Sequence, residues 1–313
     1  MINRRNIRVK VMQTLYTVTT LEHDEAAAIK PAPNPQKILH QPFDQTRSLL
    51  VYLIWNLTEI ARYAEKDAHQ RASKHLPSAE DLHVNTKIAG NEVLWKMLED
   101  PFLKTQTDKD KPERIADREL IRKIYHSLAE TAEYNLYIKS EGREKPEEKK
   151  ILELILSDMM VENEDFTSHI EENYINWDDD GEMVIQLLQG YLQKPGSINF
   201  AKMLSEDKEL FAKSLLSTVL DKDEHLQSLI IPKLKNWDPD RIAVLDMVMM
   251  KMGVAEFLYF ETIPPKVTIN EYIDLAKEYS TQQSGQFVNG ILDNIHKELM
   301  QQGKMHKVEF KKS

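Results

Sequence analysis

Apolar residues recur along this chain at helical spacing almost from end to end. Ile7, Val11, Leu15 and Val18 fall at i, i+4, i+8 and i+11, one face of a first helix, with Arg4, Arg5 and Arg8 off that stripe. Pro31, Pro33 and Pro35 cannot sit in consecutive turns of a helix interior, so this helix must end before them. The pattern predicts further helices over 44–70 and over 86–99, the second stopping before Pro101. A long helix is expected over 113–139, with Ile121, Ile124, Tyr125, Leu128 and Ala132 on one side. A charged turn is expected over 108–112 and a break over 142–146. Further on, Pro264-Pro265 forbids a helix and makes a rigid corner, and Asn270 is placed to cap a helix over 271–278. Val288, Ile291, Leu292 and Ile295 form a stripe at i, i+3, i+4 and i+7. Gly290 within it either admits a neighbouring helix or is simply tolerated. No segment longer than a few residues alternates as a strand would, so the expected class is all-α.

A repeat runs through the middle of the chain at an offset of about 60 residues. Leu156-Ser157, Glu164, Ser168, Ile170 and Asn176-Trp177-Asp178 reappear without a gap as Leu216-Ser217, Glu224, Ser228, Ile230 and Asn236-Trp237-Asp238. Asp180 then matches Asp240, and Val184 matches Val244. On this reading 147–206 is a degenerate copy of 207–266, and Trp177 and Trp237 occupy equivalent places.

Composition removes whole classes of chemistry. The 313 residues suffice for about two domains and carry 41 Lys plus Arg against 51 Asp plus Glu, a net charge of −10. Cysteine is absent, which excludes a disulfide framework, a thiolate metal site and a cysteine nucleophile. Only nine glycines are present, and no Walker, dinucleotide-binding or zincin motif occurs. His69, His75 and His83 lack partners at ligand spacing, and Asp178-Asp179-Asp180-Gly181 reads as an acidic helix start rather than a calcium loop. No catalysis, cofactor or metal is expected. The first residues lack the apolar region of a secretory signal, and the longest apolar run, 49–55, falls far short of the ~20 residues of a membrane span. A cytoplasmic protein that does not enter membranes is the expectation.

Against this acidic background the first ten residues hold Arg4, Arg5, Arg8 and Lys10 and no acid. Residues three and four apart are neighbours on a helix, so Arg4, Arg5 and Arg8 form a candidate phosphate-binding cluster. The far end of the chain gives that cluster a context. Trp237-Asp238-Pro239-Asp240-Arg241-Ile242 leads into Leu245-Asp246 and Ala255-Glu256-Phe257-Leu258. Ile263-Pro264-Pro265-Lys266-Val267, Ile269-Asn270-Glu271, Leu275-Ala276-Lys277 and Phe287-Val288-Asn289-Gly290-Ile291-Leu292-Asp293 follow. This series, with Arg4-Arg5-x-x-Arg8 and Gln13-x-Leu15-Tyr16 at the start, resembles the NusB family of transcription antitermination factors over about 1–20 and 205–300.

The resemblance implies a helical bundle, with an additional helical subdomain inserted after the first helix. It further implies a factor that binds boxA-type leader RNA of ribosomal RNA transcripts together with ribosomal protein NusE, within the transcribing RNA polymerase complex. By resemblance Arg4, Arg5 and Arg8 hold phosphates, and Gln13, Tyr16 and Phe287 meet bases or sugars, chemistry suited to single-stranded RNA. Gln283 stands where some members carry an aspartate, and Asp246 falls where the family has an acidic residue at the NusE contact. The parts are then 1–20 as the basic first helix, 21–200 as the insertion, 201–303 as the core helices and 304–313 as a basic tail. The insertion is expected to pack on that core, its second half built like 207–248. Its acidic segment, 141–182, would repel RNA and is expected to lie away from it or to face a protein. The competing reading is a protein-interaction scaffold whose insertion is the functional surface, with RNA binding vestigial.

Overall fold

The computed structural model describes residues 2–22, 34–234 and 242–308. Among them are fifteen α-helices and no strand, the all-α class that the periodicity implies. None of these helices is long and apolar enough to cross a membrane. The chain divides into two compact units, Phe43–Met203 and Ile2–Pro42 with Leu204–Ser313. The division falls inside a 38-residue helix, beside a proline that withholds one main-chain donor from it.

The Phe43–Met203 unit contains most of that helix, α2 (Pro35–Ala72), then α3 (Ala79–Leu82), α4 (Glu92–Leu98) and α5 (Pro101–Asp110). It continues with α6 (Arg118–Glu130), α7 (Ala132–Lys139), α8 (Lys145–Leu154), α9 (Glu164–Asn173) and α10 (Trp177–Gln193). α2 starts nine residues before the pattern suggests, and its Leu49, Leu50, Leu53 and Leu57 are fully buried. The helix expected over 86–99 is cut at Asn91, whose side chain accepts the Val93 and Leu94 amides and so starts α4 afresh. The charged turn shrinks to Lys111, in the left-handed region at φ 51°.

Two caps also break the long helix expected over 113–139. Asp117 accepts the amides of Glu119 and Leu120 at the start of α6, and Thr131, in extended conformation, accepts the Tyr134 amide to start α7. Ile121, Ile124, Tyr125 and Leu128 are buried as expected, whereas Ala132, past the break, is exposed. Pro146 does not interrupt a helix. It lies in the first turn of α8, where a missing amide hydrogen leaves nothing unsatisfied. α8 then widens into a π-helix, Ile155–Val161.

Three buried carboxylates hold this unit's polar core. Glu148 accepts the Tyr137 hydroxyl and the Glu92 amide, each at 2.7 Å. Asp100 accepts the Tyr191 hydroxyl at 2.5 Å, and Asp180 accepts from Thr46 Oγ1 and Asn176 Nδ2 at 2.6 Å. Asp178, Asp179 and Asp180 make up the acidic first turn of α10, and His69, His75 and His83 are exposed.

The other unit packs α1 (Arg4–Glu22) with α11 (Glu206–Asp221), α12 (Asp223–Ile230), α13 (Val244–Tyr259), α14 (Pro265–Tyr279) and α15 (Gln282–Gln301). Ile7, Val11, Leu15 and Val18 are buried, as is the α15 stripe Val288, Ile291, Leu292 and Ile295. The corner at Pro264-Pro265 begins a helix rather than forbidding one, because Pro264 is the cap and Pro265 the first helical residue. Asn270 is therefore inside α14 and caps nothing. The close approach assigned to Gly290 occurs elsewhere. A Cβ on Gly290 would meet open space, whereas one on Gly253 of α13 would lie 2.9 Å from Leu292 of α15. Lys307 donates to the carbonyls of Glu256 and Phe260, both at 2.7 Å, closing the C-terminal end of α13.

The repeat keeps its register through its first two helices. Ile151, Leu152, Ile155, Leu156, Phe166 and Ile170 are buried, and so are Phe211, Ala212, Leu215, Leu216, Leu226 and Ile230, each 60 positions later. Ser157 and Ser217 donate to the carbonyl four residues back, both at 2.9 Å. The ungapped match fails at the third helix, where Val184 is fully buried but Val244 is 41% exposed. Trp177 lies against Gly181 one turn on. Trp237 and Asp240 fall outside the described residues.

Replacing Glu148 by alanine strands a buried tyrosine hydroxyl and a backbone amide and should cost about 3 kcal/mol in chemical denaturation. Glu147→Ala, next to it and exposed, should leave the midpoint unmoved.

Candidate nucleic-acid interface

The basic residues of α1 separate into two buried ones, Arg8 and Lys10, and two at the surface, Arg4 and Arg5. Arg8 is only 2% exposed. Its Nε and Nη2 donate to the two oxygens of Glu256 on α13 at 2.7 and 3.1 Å, and Nη1 lies 3.3 Å from Glu271 on α14. Glu256 is fully buried and also accepts from Thr268 Oγ1 at 2.8 Å and the Tyr272 hydroxyl at 2.9 Å. Burial pulls the Arg8 guanidinium down, but the hydrogen bond and charge of Glu256 outweigh it, so it ends above the ordinary arginine value. Burial and then Glu256 push the Tyr272 phenol well up. The expectation that Arg8 presents a phosphate contact is thus corrected: its guanidinium is committed to the interior.

Arg4 and Arg5 remain at the surface. Arg5 is half-buried and reaches Glu278, near the end of α14, at 2.7 Å. Arg4 is exposed, with its guanidinium 5.4 Å from the centre of the Phe211 ring. Arg8 lies 5.6 Å from the same ring, which Phe260 meets edge-on. Phe211 thus holds one arginine at the surface and one below it. Neither α1 nor α15 has an acid of its own in its first turn, so neither helix neutralises its positive end from within its own sequence.

Chain connectivity brings the start of α15 to this end of α1. Glu278, held by Arg5, precedes Gln283 by five residues, at most about 18 Å of extended chain. Gln283 is exposed in the first turn of α15, and Phe287, one turn on, is half-buried. Along α1, eleven residues at 100° each return Tyr16 to within about 20° of Arg5. Tyr16 is 42% exposed there, with Gln13 half-buried nearby. Arg4, Arg5, Gln13 and Tyr16 thus lie along α1, and Gln283 and Phe287 at the start of α15, with the Arg5–Glu278 pair close to both.

Asp246 does not lie on an accessible surface. It is buried in the first turn of α13 and accepts Ser284 Oγ at 2.9 Å, while its second oxygen has no hydrogen-bond partner. Ser284 in turn meets Ser280 Oγ at 3.0 Å and Thr281 Oγ1 at 2.9 Å. This corrects the reading of Asp246 as a partner contact, because burial leaves it a positioning role: it fixes the turn from which Gln283 and Phe287 project. The sequence reading missed Glu256, Phe211 and Ser284. Glu256 did carry a signal, as a lone acid among Val254, Ala255, Phe257 and Leu258.

The NusB family model matches residues 178–297, from the first turn of α10 into α15. Proteins described as transcription antitermination protein NusB match the same part of the chain. The one from Methylacidiphilum infernorum is 40% identical over 100 residues, 32% of this chain and 69% of its own length. The one from an Exiguobacterium species is 36% identical over 115 residues, 37% of this chain and 89% of its own. The one from Chloroherpeton thalassium is 39% identical over 97 residues, 31% of this chain, and the match spans just under half of that relative, 46%. No solved structure matches.

Arg8→Ala leaves Glu256 charged and buried without its main partner and should cost about 3–5 kcal/mol of stability. Arg8→Lys should recover only part of that, because an ammonium cannot form the two-pronged pair. Thermal and urea unfolding of both variants measure it, with Arg4→Ala, at the exposed neighbour, expected to unfold like wild type.

Proposed function

The chain belongs to the NusB family, and from that premise we propose that it is an RNA-binding transcription antitermination factor. On this proposal it works by binding rather than by bond chemistry, with ribosomal protein NusE, on boxA-type RNA in ribosomal RNA leaders, as part of the transcribing polymerase complex. The observation that carries the reading is the acid-free basic end of α1, tied through Arg5 to Glu278 near the end of α14, five residues before Gln283. Arg4 and Arg5 supply phosphate contacts. Tyr16 and Phe287 supply faces on which unstacked bases rest, and Gln13 and Gln283 supply donors and acceptors for base edges. Arg8 and Asp246 act from beneath, as supports.

A positive end of a helix favours phosphate only while nothing neutralises it. Glu278 takes up part of the Arg5 charge. Because that pair is half exposed, its attraction is weak and a phosphate can compete for the guanidinium. Gln283 both accepts and donates, so base discrimination there rests on an amide that can present either group.

Titrating a leader RNA carrying a boxA-type element, and a scrambled control, over a salt series with and without NusE tests the proposal. Arg4→Ala and Arg5→Ala should each flatten the slope of log K against log salt by about 0.7 per lost contact. Phe287→Ala should weaken RNA binding by about 1–3 kcal/mol with a near-normal melting temperature. Equal affinity for both RNAs and slopes unchanged in the two arginine variants would remove RNA from this surface.

A further inference from the structure

We propose that the groove between α7 and α8 in the Phe43–Met203 unit is a docking site for a segment of a partner protein bearing a bulky apolar side chain flanked by lysines or arginines. The groove encloses about 360 Å³, with Tyr137, Ile151 and Leu154 as its apolar surface. That is the low end of the range for binding pockets and is room for one or two large side chains. Leu136, 71% exposed, stands at its edge. A single exposed leucine is ordinary; one that flanks an open apolar groove offers a partner both a pocket and a contact around it.

The groove is braced. Tyr137 donates its hydroxyl to the buried Glu148 at 2.7 Å. Lys87 Nζ donates to the carbonyls of Tyr137 and Ser140, both at 2.7 Å, and lies 4.5 Å from the Tyr137 ring centre. These ties fix the end of α7 against collapse, so little ordering cost remains for a partner that fills the space. At the groove's far end Ser157 belongs to the π-helix that extends α8, a widening of the backbone that recurs at functional sites.

Charge selects the occupant. Glu133, Glu147 and Glu153 line the groove against one lysine, Lys150. The whole net charge of −10 resides in residues 43–203, with 31 acids against 21 bases, while the rest of the chain has 20 of each. From 151 to 193 there are eleven aspartates and glutamates and no lysine or arginine at all. Such a field draws cationic segments and repels a polyanion, which makes a basic peptide the fitting partner and RNA an unfit one. The inference does not depend on the RNA reading, which concerns residues of the other unit.

The test uses the full chain and two labelled helical peptides with the same leucine stripe, one flanked by lysines and the other by glutamates, followed by fluorescence anisotropy. The lysine peptide should bind and the glutamate peptide should not. Leu136→Asp should weaken binding about tenfold or more, as should Glu133→Lys combined with Glu147→Lys. Ile175→Asp, at an exposed apolar residue outside the groove, should have no effect. All these positions are exposed, and melting curves check that each variant folds. Absence of binding, equal binding of both peptides, or binding indifferent to Leu136→Asp overturns the proposal. So does loss of leader-RNA affinity in Leu136→Asp, since the groove would then serve RNA.

Discussion

A guanidinium and a carboxylate, both out of water, tie the first helix of the chain to two helices near its other end. Removing such ions from solvent costs several kcal/mol each, and only near-complete hydrogen bonding offsets it. Glu256 meets that condition, with two bonds from Arg8 and one each from Thr268 and Tyr272. The pair spans 248 positions. Loop-closure entropy grows only logarithmically, about 0.6 kcal/mol for each doubling of length, so the long stretch between the partners is thermodynamically cheap. The position of Arg4 and Arg5 follows from this lock. With Arg8 fixed one turn below, Arg5 reaches Glu278 and Arg4 comes to rest against Phe211.

The partition of charge gives the two units different electrostatic lives. A unit with as many bases as acids can still hold a local positive region, and the acid-free first turns of α1 and α15 supply one. A unit at −10 carries a field that ordinary salt screens within about 8 Å. The proposed RNA surface and the proposed docking groove therefore draw on different residues, and each can be altered without discharging the other.

Periodicity alone showed the helical class, the α1 and α15 stripes and the buried face of α6, because amphipathic spacing records which side meets a core. It could not show that α1 is buried beyond its stripe. Arg8 sits between Ile7 and Val9, both buried, and its charge looks like a solvent-facing residue until Glu256 is placed against it. Asp246 misleads in the same way, since an acid in a first turn reads as surface until Ser284 is found bonded to it. Helix ends failed for a local reason. Asn91, Asp117 and Thr131 cap where the apolar spacing runs on uninterrupted, and a cap depends on one backbone conformation that spacing does not encode. The candidate roles of Arg4, Arg5, Tyr16, Gln283 and Phe287 were legible only through family resemblance, and the supports Glu256, Phe211 and Ser284 were not.

The broken register of the repeat has a physical reading in two buried acids. Asp180, in the first turn of α10, accepts the hydroxyl of Thr46, and Asp246, in the first turn of α13, accepts that of Ser284. Aligned on these acids, 66 positions apart, the two helices again match inside to inside: Val184 with Met250, Leu188 with Val254 and Tyr191 with Phe257, all buried. The 60-residue offset thus governs α8 with α9 and α11 with α12, and six extra residues before Asp246 move the third helix to a new register without disturbing its packing face. What the two units share is a helix pair closed by a third helix, each third helix pinned near its start by a carboxylate bonded to a hydroxyl. In one unit that hydroxyl belongs to α2, and in the other to α15, the helix that carries Gln283 and Phe287. The same internal device therefore supports the start of the helix that carries the candidate RNA residues in one case and the long helix α2 in the other.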